Sequence, residues 1–440
     1  NNKRGATMRF TRGLATRLMG RGLIAAAIPM LLMAFPASAQ DSSIYVQCPD
    51  TDGNGEPGPE APGIRCIHLS GGDGMVTMAD GKPLYIFSFA EIPLPGAPIP
   101  GTTETAPAAG EDYAGFSMDY GMLAAEAPAT TISVDEDDEL FLTLTNVGMA
   151  MRPDLFDPHT VHWHGFPQAS AVFDGVPDAS ISINMGASLT YYYKAVDAGT
   201  YMYHCHVEAT EHMQMGMLGN LYVRPRQNRC DDLTDDADVP GSVCPATHSA
   251  GDMYAYNDGD GSTRYDVEYP IQLGSFDPVF HDASLEVQPL PFRDMRDTYF
   301  LLNGRGYPDT INTAVIETPD PMTGELRPSQ PMHSLIEATA GQKILLRISN
   351  LNVTQFNTIG TNGPSMEVVA LDARLLRADD GTDMYYKTNS LTLGGGQSAD
   401  VLIDTTGLGG KTFFLYSTNL DYLANDAENF GGMMTEIVIQ

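Results

Sequence analysis

The sequence predicts an all-β fold in which one Greek-key sandwich or barrel occurs twice. The chain has 440 residues, which is more than one ordinary hydrophobic core holds. Short stretches rich in Val, Thr and Tyr alternate with turns, and the 44 glycines and 30 prolines fit that pattern. No stretch shows a convincing helical period. We therefore expect two β domains along the chain.

The N-terminal stretch predicts a secretion signal. Arg9, Arg12, Arg17 and Arg21 precede the apolar run LIAAAIPMLLMAF (23–35), and the small residues ASA (37–39) follow it. This is the pattern of a secretory signal, and its apolar run is too short to cross a membrane. We therefore interpret residues 1–39 as upstream residues and a signal peptide. The protein is expected to be exported to the periplasm or the extracellular space, with no membrane span.

The chain carries a large negative charge. Its formal net charge is −32, and the first 40 residues contain six of the 24 basic residues and none of the 56 acidic ones. Without them 18 basic residues remain, and the charge is −38. Such a surface repels nucleic acids and anionic membranes and attracts cationic substrates or metal ions. The simpler interpretation is that the charge serves solubility.

Composition divides the rest of the chain into four parts. Residues 40–80 are rich in Gly, Pro and Asp and are predicted to be irregular, and residues 81–226 form the first β domain. Residues 227–262 are an Asp-rich linker, and residues 263–440 form the second domain. Both domains contain a strand, an acidic or Gly turn and a strand ending in Asn. This similarity indicates two copies of one fold, with metal-type residues only in the first.

One loop has a calcium-like pattern. The stretch DTDGNG (50–55) has the Asp spacing of the first half of a calcium-binding loop. The place of the final Glu ligand is occupied by Ala61. A turn-rich loop is therefore the favoured interpretation, and calcium is the weaker alternative.

Two His-x-His pairs lie in the first domain. His162 and His164 belong to HTVHWHG, and His204 and His206 belong to YHCHV. Residues two apart in a strand point to the same side, so each pair can direct two imidazoles to one place. The four histidines therefore form one predicted group that could hold one or two metal ions.

A second predicted group faces the other way. Cys205 lies between the histidines of the second pair, and His159 is an odd number of residues before the first pair. His212 and Met217 follow Cys205 closely. Two imidazoles, a thiolate and a weak thioether are the ligands of a blue-copper electron-transfer site. Structural zinc is the weaker alternative, because zinc seldom takes a Met ligand.

These motifs resemble the multicopper oxidase family, which is built of cupredoxin domains. The stretches that carry the resemblance are PHTVHWHG (158–165), DGVP (174–177), GTYMYHCH (199–206) and EHMQMGMLGNLYV (211–223). In the second domain, GSFDPVF, FLLNGRGYP and LTLGGGQSADVLIDTTG resemble the family's copper-free domain. The resemblance covers roughly residues 81–440. It implies two cupredoxin-like Greek-key β-sandwich domains.

The resemblance also implies roles for the metal-type residues. The matches are His159, Cys205, His212 and Met217 to type 1 copper ligands, His162 to a type 2 ligand, and His164, His204 and His206 to type 3 ligands. A phenol-like or metal-ion reductant would give one electron to the type 1 copper. The electron would cross through Cys205 and its bonded neighbours to the second site, where O₂ is reduced to water.

Three carboxylates are candidate proton carriers. Asp174 matches a family acid near the type 2 copper that helps proton delivery, and a plain turn Asp is the alternative. Glu208 and Glu211 are further candidates, but exposed loop carboxylates are the favoured interpretation for both.

The five cysteines predict two disulfides. Export permits disulfide formation, and the local pairs are Cys48 with Cys66 and Cys230 with Cys244. Cys205 is then left reduced and free to bind metal.

The chain departs from the family in its histidine count. A complete three-copper cluster takes eight histidines from two domains, and this chain supplies four. His281 and His333 of the second domain belong to no His-x-His pair and, like His68 and His248, are expected to be structural or surface residues. Three hypotheses follow: a homo-oligomer in which two first domains face each other, a separate partner chain, or a smaller second site.

Two alternative functions remain open. A copper nitrite reductase shares the fold and the order of type 1 ligands, but it takes one His near the final strands of a neighbour's second domain. The comparable stretch here, LYSTN (415–419), contains no His. The other alternative is a non-catalytic electron-transfer or copper-sequestering protein.

Overall fold

Nearly all regular structure in the chain is β-strand. The computed structural model describes residues 47–49, 62–108, 111–231, 244–286 and 289–440. Within those ranges the chain forms 24 strands and three short α-helices, so the all-β prediction is confirmed. The predicted signal peptide and the calcium-like loop lie outside the described residues.

The first half, residues 62–231, contains two four-stranded sheets. Its strands are β1 (Ile64–Thr77), β2 (Pro83–Glu91), β3 (Ala129–Asp135), β4 (Glu139–Gly148), β5 (His162–His164), β6 (Ser188–Lys194), β7 (Gly199–His204) and β8 (Leu218–Arg224). Helix α1 (Tyr113–Gly121) precedes β3, and helix α2 (Ala209–Gln214) precedes β8. The strand orders are β2-β1-β4-β6 and β3-β8-β7-β5. Strand β1 is parallel to β4 and β3 to β8, while the other neighbours are antiparallel.

The second half, residues 244–440, contains a larger set of strands. They are β9 (Met253–Tyr254), β10 (Arg264–Tyr265), β11 (Val267–Phe276), β12 (Tyr299–Leu302), β13 (Ile316–Pro319), β14 (Leu326–Gln330), β15 (Ile336–Ala338), β16 (Lys343–Asn350), β17 (Asn357–Thr361), β18 (Met366–Leu371), β19 (Arg374–Leu375), β20 (Tyr386–Thr388), β21 (Ser390–Leu393), β22 (Gln397–Asp404), β23 (Lys411–Ser417) and β24 (Met434–Ile439). Helix α3 (Pro278–Ser284) follows β11. The main sheets have the orders β12-β11-β16-β22-β18-β19 and β15-β24-β23-β17-β21.

The two halves repeat one arrangement of strands. Strand β11 is parallel to β16 and antiparallel to β12, as β1 is to β4 and β2. Likewise β24 is parallel to β15 and antiparallel to β23, as β8 is to β3 and β7. Strands β17 and β23 therefore correspond to β5 and β7, which carry the His-x-His pairs. The predicted duplication of one β-fold is confirmed.

The prediction that residues 40–80 are irregular is wrong for Ile64–Thr77, which form strand β1. The stretch SGGDG within β1 has the composition of a turn, yet it pairs with strands on both sides. Its glycines are needed for close packing, not for turning. A Cβ at Gly72 would lie 2.6 Å from the side chain of Val147, and one at Gly71 would lie 3.1 Å from the ring of His159.

The prediction that residues 227–262 form a linker is also partly wrong, because residues 253–262 are part of the folded structure. Strands β9 and β10 form a small ribbon, and Tyr256 is buried with its hydroxyl donating to the carboxylate of Asp400 at 2.5 Å. The carboxylate of Asp258 accepts backbone N–H bonds from Gly261 and Thr263. The Asp-rich composition therefore serves turn formation, in which Asp side chains cap backbone N–H groups.

Each half has its own apolar core. The predicted period-two face of β4, formed by Leu140, Leu142 and Leu144, is fully buried. The halves also meet through polar contacts at β7 and β8. The hydroxyl of Ser398 donates to the carbonyl of Thr200 at 2.7 Å. These contacts fix the second half against the strand that ends at His204.

A buried histidine in the first half predicts acid sensitivity. The ring of His68 lies between the hydroxyls of Tyr113 (2.6 Å) and Thr145 (2.7 Å), and burial lowers its pKa to about 3. The unfolded chain takes up this proton near pH 6.5, so stability is retained above about pH 6.5 and lost as the pH falls toward 3, by about 1.4 kcal/mol per pH unit. Urea-unfolding midpoints at pH 7.5 and 5.0 should therefore shift less in His68→Gln than in the wild type. Other buried histidines contribute equally to both proteins, so an identical shift would contradict the prediction.

Candidate metal centres

The structure brings together the predicted thiolate-containing group, which we call the Cys205 site. Its members are His159, Cys205, His212 and Met217, and all four side chains are fully buried. The ligand atoms of the two histidines and the cysteine lie within 4.8 Å of one another. His212 Nδ1 is 3.2 Å from Cys205 Sγ.

Backbone hydrogen bonds hold this group in place. Cys205 follows β7, and its N–H donates to the carbonyl of Met217 at 3.1 Å. The N–H of Met217 donates to the carbonyl of His212 at 2.8 Å. His159 and Ile183 exchange two N–H···O=C bonds of 3.0 and 2.9 Å. The segment between Cys205 and Met217 therefore closes on itself and keeps its side chains together.

The electrostatics of the Cys205 site fit a soft cation. Within the described residues, both ring nitrogens of His159, and Nε2 of His212, are buried without a hydrogen-bond partner, and each such group costs about 1–3 kcal/mol. Burial and the neighbouring His212 lower the pKa of His159, and burial lowers that of His212 to about 4. Burial raises the pKa of the Cys205 thiol to about 11. Neutral imidazoles beside a thiol match the donor set of copper, which would supply the charge that a thiolate needs.

The other predicted group, the four-histidine site, also forms. Its members are His162, His164, His204 and His206. His162 pairs with His204 across β5 and β7, and their ring centroids are 5.2 Å apart. The ring of His206 lies 5.2 Å from that of His162. Ligand nitrogens of the first three residues lie within 4.8 Å of one another.

Hydrogen bonds orient two of these rings. His204 Nδ1 lies 2.8 Å from the carbonyl oxygen of Cys205, and His162 Nδ1 lies 2.5 Å from the carbonyl oxygen of Asp174. A carbonyl can only accept, so Nδ1 carries a proton in both rings, and Nε2 is the nitrogen available to bind a metal. The carboxylate of Asp174 is 3.6 Å from His162 Nδ1. Burial lowers the pKa of His204 to about 3 and also lowers that of His164, which favours neutral, ligating rings.

The four-histidine site opens into a cavity between the two halves. Residues 351–356 and the glycines 395 and 396 of the second half form its opposite wall. That wall contains no histidine. The ring of His281 lies instead between the carbonyls of Tyr85 and Gln214.

The structural repeat explains the missing ligands. In the second half, Gly360 pairs with Tyr416 as His162 pairs with His204 in the first. The place of His164 is taken by Asn362, whose N–H donates to the carbonyl of Phe414. The corresponding strands therefore carry no imidazole.

The candidate proton carriers differ from one another in exposure. Glu208 is exposed, as predicted, and has a left-handed backbone with φ +45°. Glu211 is only 5% exposed, so the predicted exposed loop is wrong for this residue. It lies in α2 next to His212, and one helical turn directs it inward. Burial and the carboxylates of Glu208 and Asp157 raise its pKa to about 7.

The predicted cysteine pairing is confirmed. Cys48 is bonded to Cys66 and Cys230 to Cys244, while Cys205 is reduced and buried. In the part of the chain that the structure describes, none of the helices has the length and apolar character needed to span a membrane.

Comparisons with known proteins agree with the geometry. Two family models, both described as multicopper oxidase, match residues 118–228 and 292–439. Multicopper oxidase MCE of Talaromyces pinophilus is 34% identical over 116 residues, which are 26% of this chain and 18% of that protein. Laccase-1 of Emericella nidulans is 32% identical over 184 residues, which are 41% of this chain and 26% of that protein. The chain thus matches about a quarter or less of the length of these curated relatives.

A solved structure shares the fold. Blue copper oxidase from Nitrosomonas europaea superposes with a TM-score of 0.56 at 21% identity, covering 86% of each chain. This likeness supports the cupredoxin-like architecture of both halves.

A close contact at Gly396 generates a prediction about the four-histidine site. Gly396 has φ +85°, and a Cβ there would lie 2.7 Å from His164 Nε2. Gly396→Ala should displace that ring and weaken copper binding at the four-histidine site roughly tenfold. Copper content per chain after dialysis should fall, while the red absorption of the Cys205 site persists.

Gly381→Ala is the matched control. Gly381 also has φ +85°, but a Cβ there would meet no atom within 4 Å. Gly381→Ala therefore introduces the same backbone strain as Gly396→Ala but no contact with a neighbouring side chain. Equal copper loss in both variants would show that strain alone, and not contact with His164, is responsible.

Proposed function

The chain belongs to the multicopper oxidase family, and from this premise we propose that it is an exported, copper-dependent oxidoreductase that couples oxidation of a small reductant to reduction of O₂. The observation that carries the proposal is the sharing of residues 204–206 by both sites. Cys205 enters one site and its two bonded neighbours enter the other. One short segment thus connects a site suited to accept single electrons with a site rich in imidazoles.

The residues divide into two ligand sets. His159, Cys205, His212 and Met217 would hold the type 1 copper, and His162, His164, His204 and His206 would hold copper of the type 2 and type 3 kinds. Bound copper supplies reversible one-electron chemistry at both places. Full burial of the Cys205 site excludes water, and its backbone hydrogen bonds limit the rearrangement that would accompany a change of charge.

The electron path runs through Cys205 to His204 and His206. Each step uses covalent bonds of the backbone and the side chains. The hydrogen bond from His204 Nδ1 to the carbonyl of Cys205, 2.8 Å long, gives a second and shorter connection. This supports His204 as the main exit from the Cys205 site.

Asp174 is the proposed proton relay. Its carboxylate is one-third exposed and lies 3.6 Å from His162 Nδ1. It therefore reaches both solvent and the four-histidine site. Reduction of O₂ to water consumes four protons, and a carboxylate at this boundary can hand them inward.

A second copy of the chain is the proposed source of further ligands. The cavity wall supplied by the second half contains amides and hydroxyls but no imidazole. A twofold contact is self-complementary, so the same four histidines could serve both copies. The reductant, O₂ and a homo-oligomer are then the partners of this chain.

Nitrite reduction is the weaker candidate. Residues 417–419 at the end of β23 read Ser, Thr and Asn, so this strand offers no histidine for a nitrite site. The four-histidine site also holds more imidazoles than such a site uses. Absence of nitrite turnover together with O₂ uptake would separate the two functions.

The first test uses the colour of the copper-loaded protein. Cys205→Ser should abolish the intense red absorption, because that band arises from thiolate-to-copper charge transfer. His159→Ala should disturb it, and His164→Ala should leave it largely intact while lowering O₂ uptake with hydroquinone. Equal bleaching by both histidine changes would contradict the separation into two sites. Colour without any O₂ uptake would favour a non-catalytic electron-transfer or copper-sequestering protein.

The second test is the dependence of activity on protein concentration. If the four-histidine site is completed by a second copy, O₂ uptake per chain should fall on dilution into the monomer range. The red absorption should remain, since all four ligands of the Cys205 site come from one chain. Mass determined by light scattering gives the assembly at each concentration. A monomer with full activity per chain would contradict the oligomer proposal.

A further inference from the structure

A buried group of polar side chains lies at the wall that the second half presents to the four-histidine site, and we call it the Asp297 cluster. Its centre is the carboxylate of Asp297, a residue that is only 4% exposed. Hydrogen bonds link this carboxylate, directly or through one other side chain, to Gln214, Ser275, Asn352 and Thr354. These residues come from α2, from β11 and from the cavity wall, so the cluster connects the two halves.

Three side chains donate to the carboxylate of Asp297. Gln214 Nε2 donates to Oδ1 at 3.0 Å, and the hydroxyls of Ser275 and Thr354 both donate to Oδ2. The hydroxyl of Ser275 also accepts a hydrogen bond from the side-chain amide of Asn352. The single proton of Ser275 is therefore committed to Asp297.

The hydroxyl of Thr354 has a choice of acceptors. Besides Oδ2 of Asp297, it lies 3.2 Å from the side-chain oxygen of Asn352. The backbone N–H groups of Thr354 and Gln355 hold that oxygen in place at 2.9 and 2.8 Å. A hydroxyl donates one proton and can accept another. It can therefore donate to an ionised Asp297, or donate to Asn352 while it accepts a hydrogen bond from a protonated Asp297.

Thr354 also connects this buried carboxylate with the cavity of the four-histidine site. It is exposed, and it lines that cavity together with the four histidines. Of the three side chains that donate to Asp297, Thr354 alone belongs to this lining, whereas Gln214 and Ser275 do not. A proton held on Asp297 is therefore one hydroxyl away from the cavity.

The environment of Asp297 favours uptake of a proton. Burial is the main cause that raises its pKa, the three donors act in the opposite direction, and the negative charge of Asp277 adds to the rise. Asp277 is itself buried and caps α3 by accepting backbone N–H bonds from Val279 and Phe280. The neighbouring Arg296 is exposed, and in the described part of the chain no basic side chain forms an ion pair with Asp297.

The elements packed around this carboxyl contribute few other titratable groups. Residues 272–276 of β11 and residues 351–356 of the wall contain none. In α3, burial lowers the pKa of His281 to about 4, so this ring is neutral near pH 7. In α2, Glu211 lines a separate, acidic cavity, and His212 belongs to the Cys205 site.

We infer that Asp297 stores a proton for the four-histidine site and passes it into the cavity through the hydroxyl of Thr354. The inference rests on the proposed oxidase function and adds a second proton route to that of Asp174. The O–H bond of protonated Asp297 breaks as a new one forms at Thr354 Oγ, and the former hydroxyl proton of Thr354 passes to the cavity. Solvent returns a proton to Asp297 by the reverse steps. Four such protons, with four electrons from the reductant, reduce one O₂ to two molecules of water.

The stored proton is measured first, independently of turnover. Infrared spectra of the copper-loaded protein should contain the C=O stretch of a protonated carboxyl that titrates above about pH 4, the ordinary value of Asp, and that is missing in Asp297→Asn. Burial also raises the pKa of Glu126 and of Glu211 to about 7, but their bands occur in both proteins and cancel in the difference. If the two proteins have the same carboxyl bands at every pH, Asp297 stores no proton and the proposal is overturned.

Kinetics then tests the hydroxyl. Thr354→Val removes the hydroxyl with little change of shape, and Thr354→Ser keeps it. The kcat of O₂ uptake with hydroquinone should fall roughly tenfold in Thr354→Val and in Asp297→Asn, and less than about twofold in Thr354→Ser. Only a protonated Asp297 can donate, so the deficit of Asp297→Asn should be largest at low pH and vanish as the pH rises through the pKa of Asp297. Wild-type kcat in Thr354→Val would overturn the route.

The solvent isotope effect separates proton transfer from a structural role. In Thr354→Val the ratio of kcat in H₂O to kcat in D₂O should rise, because delivery of the proton becomes limiting. Ser275→Ala is the comparison, since it removes a hydroxyl that donates to the same oxygen of Asp297 but does not line the cavity. Its isotope effect should equal that of the wild type. An equal rise in both variants would show that the cluster only holds the wall in place.

The two proposals can fail separately. If the red absorption and hydroquinone-dependent O₂ uptake are intact but the variants of Asp297 and Thr354 behave as wild type, only the proton store fails. If the copper-loaded protein shows neither colour nor O₂ uptake with hydroquinone, the oxidase function itself fails.

Discussion

Neighbouring side chains of an extended backbone point in opposite directions, and at residues 204–206 this constraint organises both candidate sites. Cys205 must face one side of the sheet while His204 and His206 face the other. The remaining ligands are then divided by where their own segments run. His212 and Met217 return to the cysteine side through α2, and β5 brings His162 to the histidine side by pairing with β7. Two chemically different sites therefore lie on either side of one strand end.

The duplicated fold shows that the arrangement of strands does not depend on the metal-binding residues. The second half keeps the same pairing and directions, yet Gly360 and Tyr416 occupy the places of His162 and His204. The second half contributes one wall of the cavity at the four-histidine site. In this wall Gly396 lies close to the ring of His164. A cupredoxin-like domain can thus lose its metal ligands and still shape a metal site, because the strand framework depends on apolar burial and backbone pairing.

Sequence reasoning predicted the parts of the molecule that follow from local rules. Both ligand groups, the two disulfides and the duplicated strands follow from spacing, parity and composition. Strand β1 was mispredicted because the composition of SGGDG is typical of a turn, and the need for glycine there comes from Val147 and His159, which are distant in sequence. Glu211 was assigned to an exposed loop because α2 has only six residues, too few for a recognisable helical period. The wall formed by residues 351–356 results from packing between the halves, which no local pattern encodes.

Helix α2 separates the four-histidine site from a second, acidic cavity. Its first residue, Ala209, lines both cavities, with Glu208 and Thr210 only on the acidic one and Met213 only on that of the four-histidine site. The carboxylates of Glu208 and Glu211 therefore lie on one side of the helix, and the imidazoles lie on the other. Under the proposed function only electrons need to cross between the two copper sites, and the bonded segment of residues 204–206 would provide that crossing. Helix α2 can then remain closed, because no reactant has to pass from one side to the other.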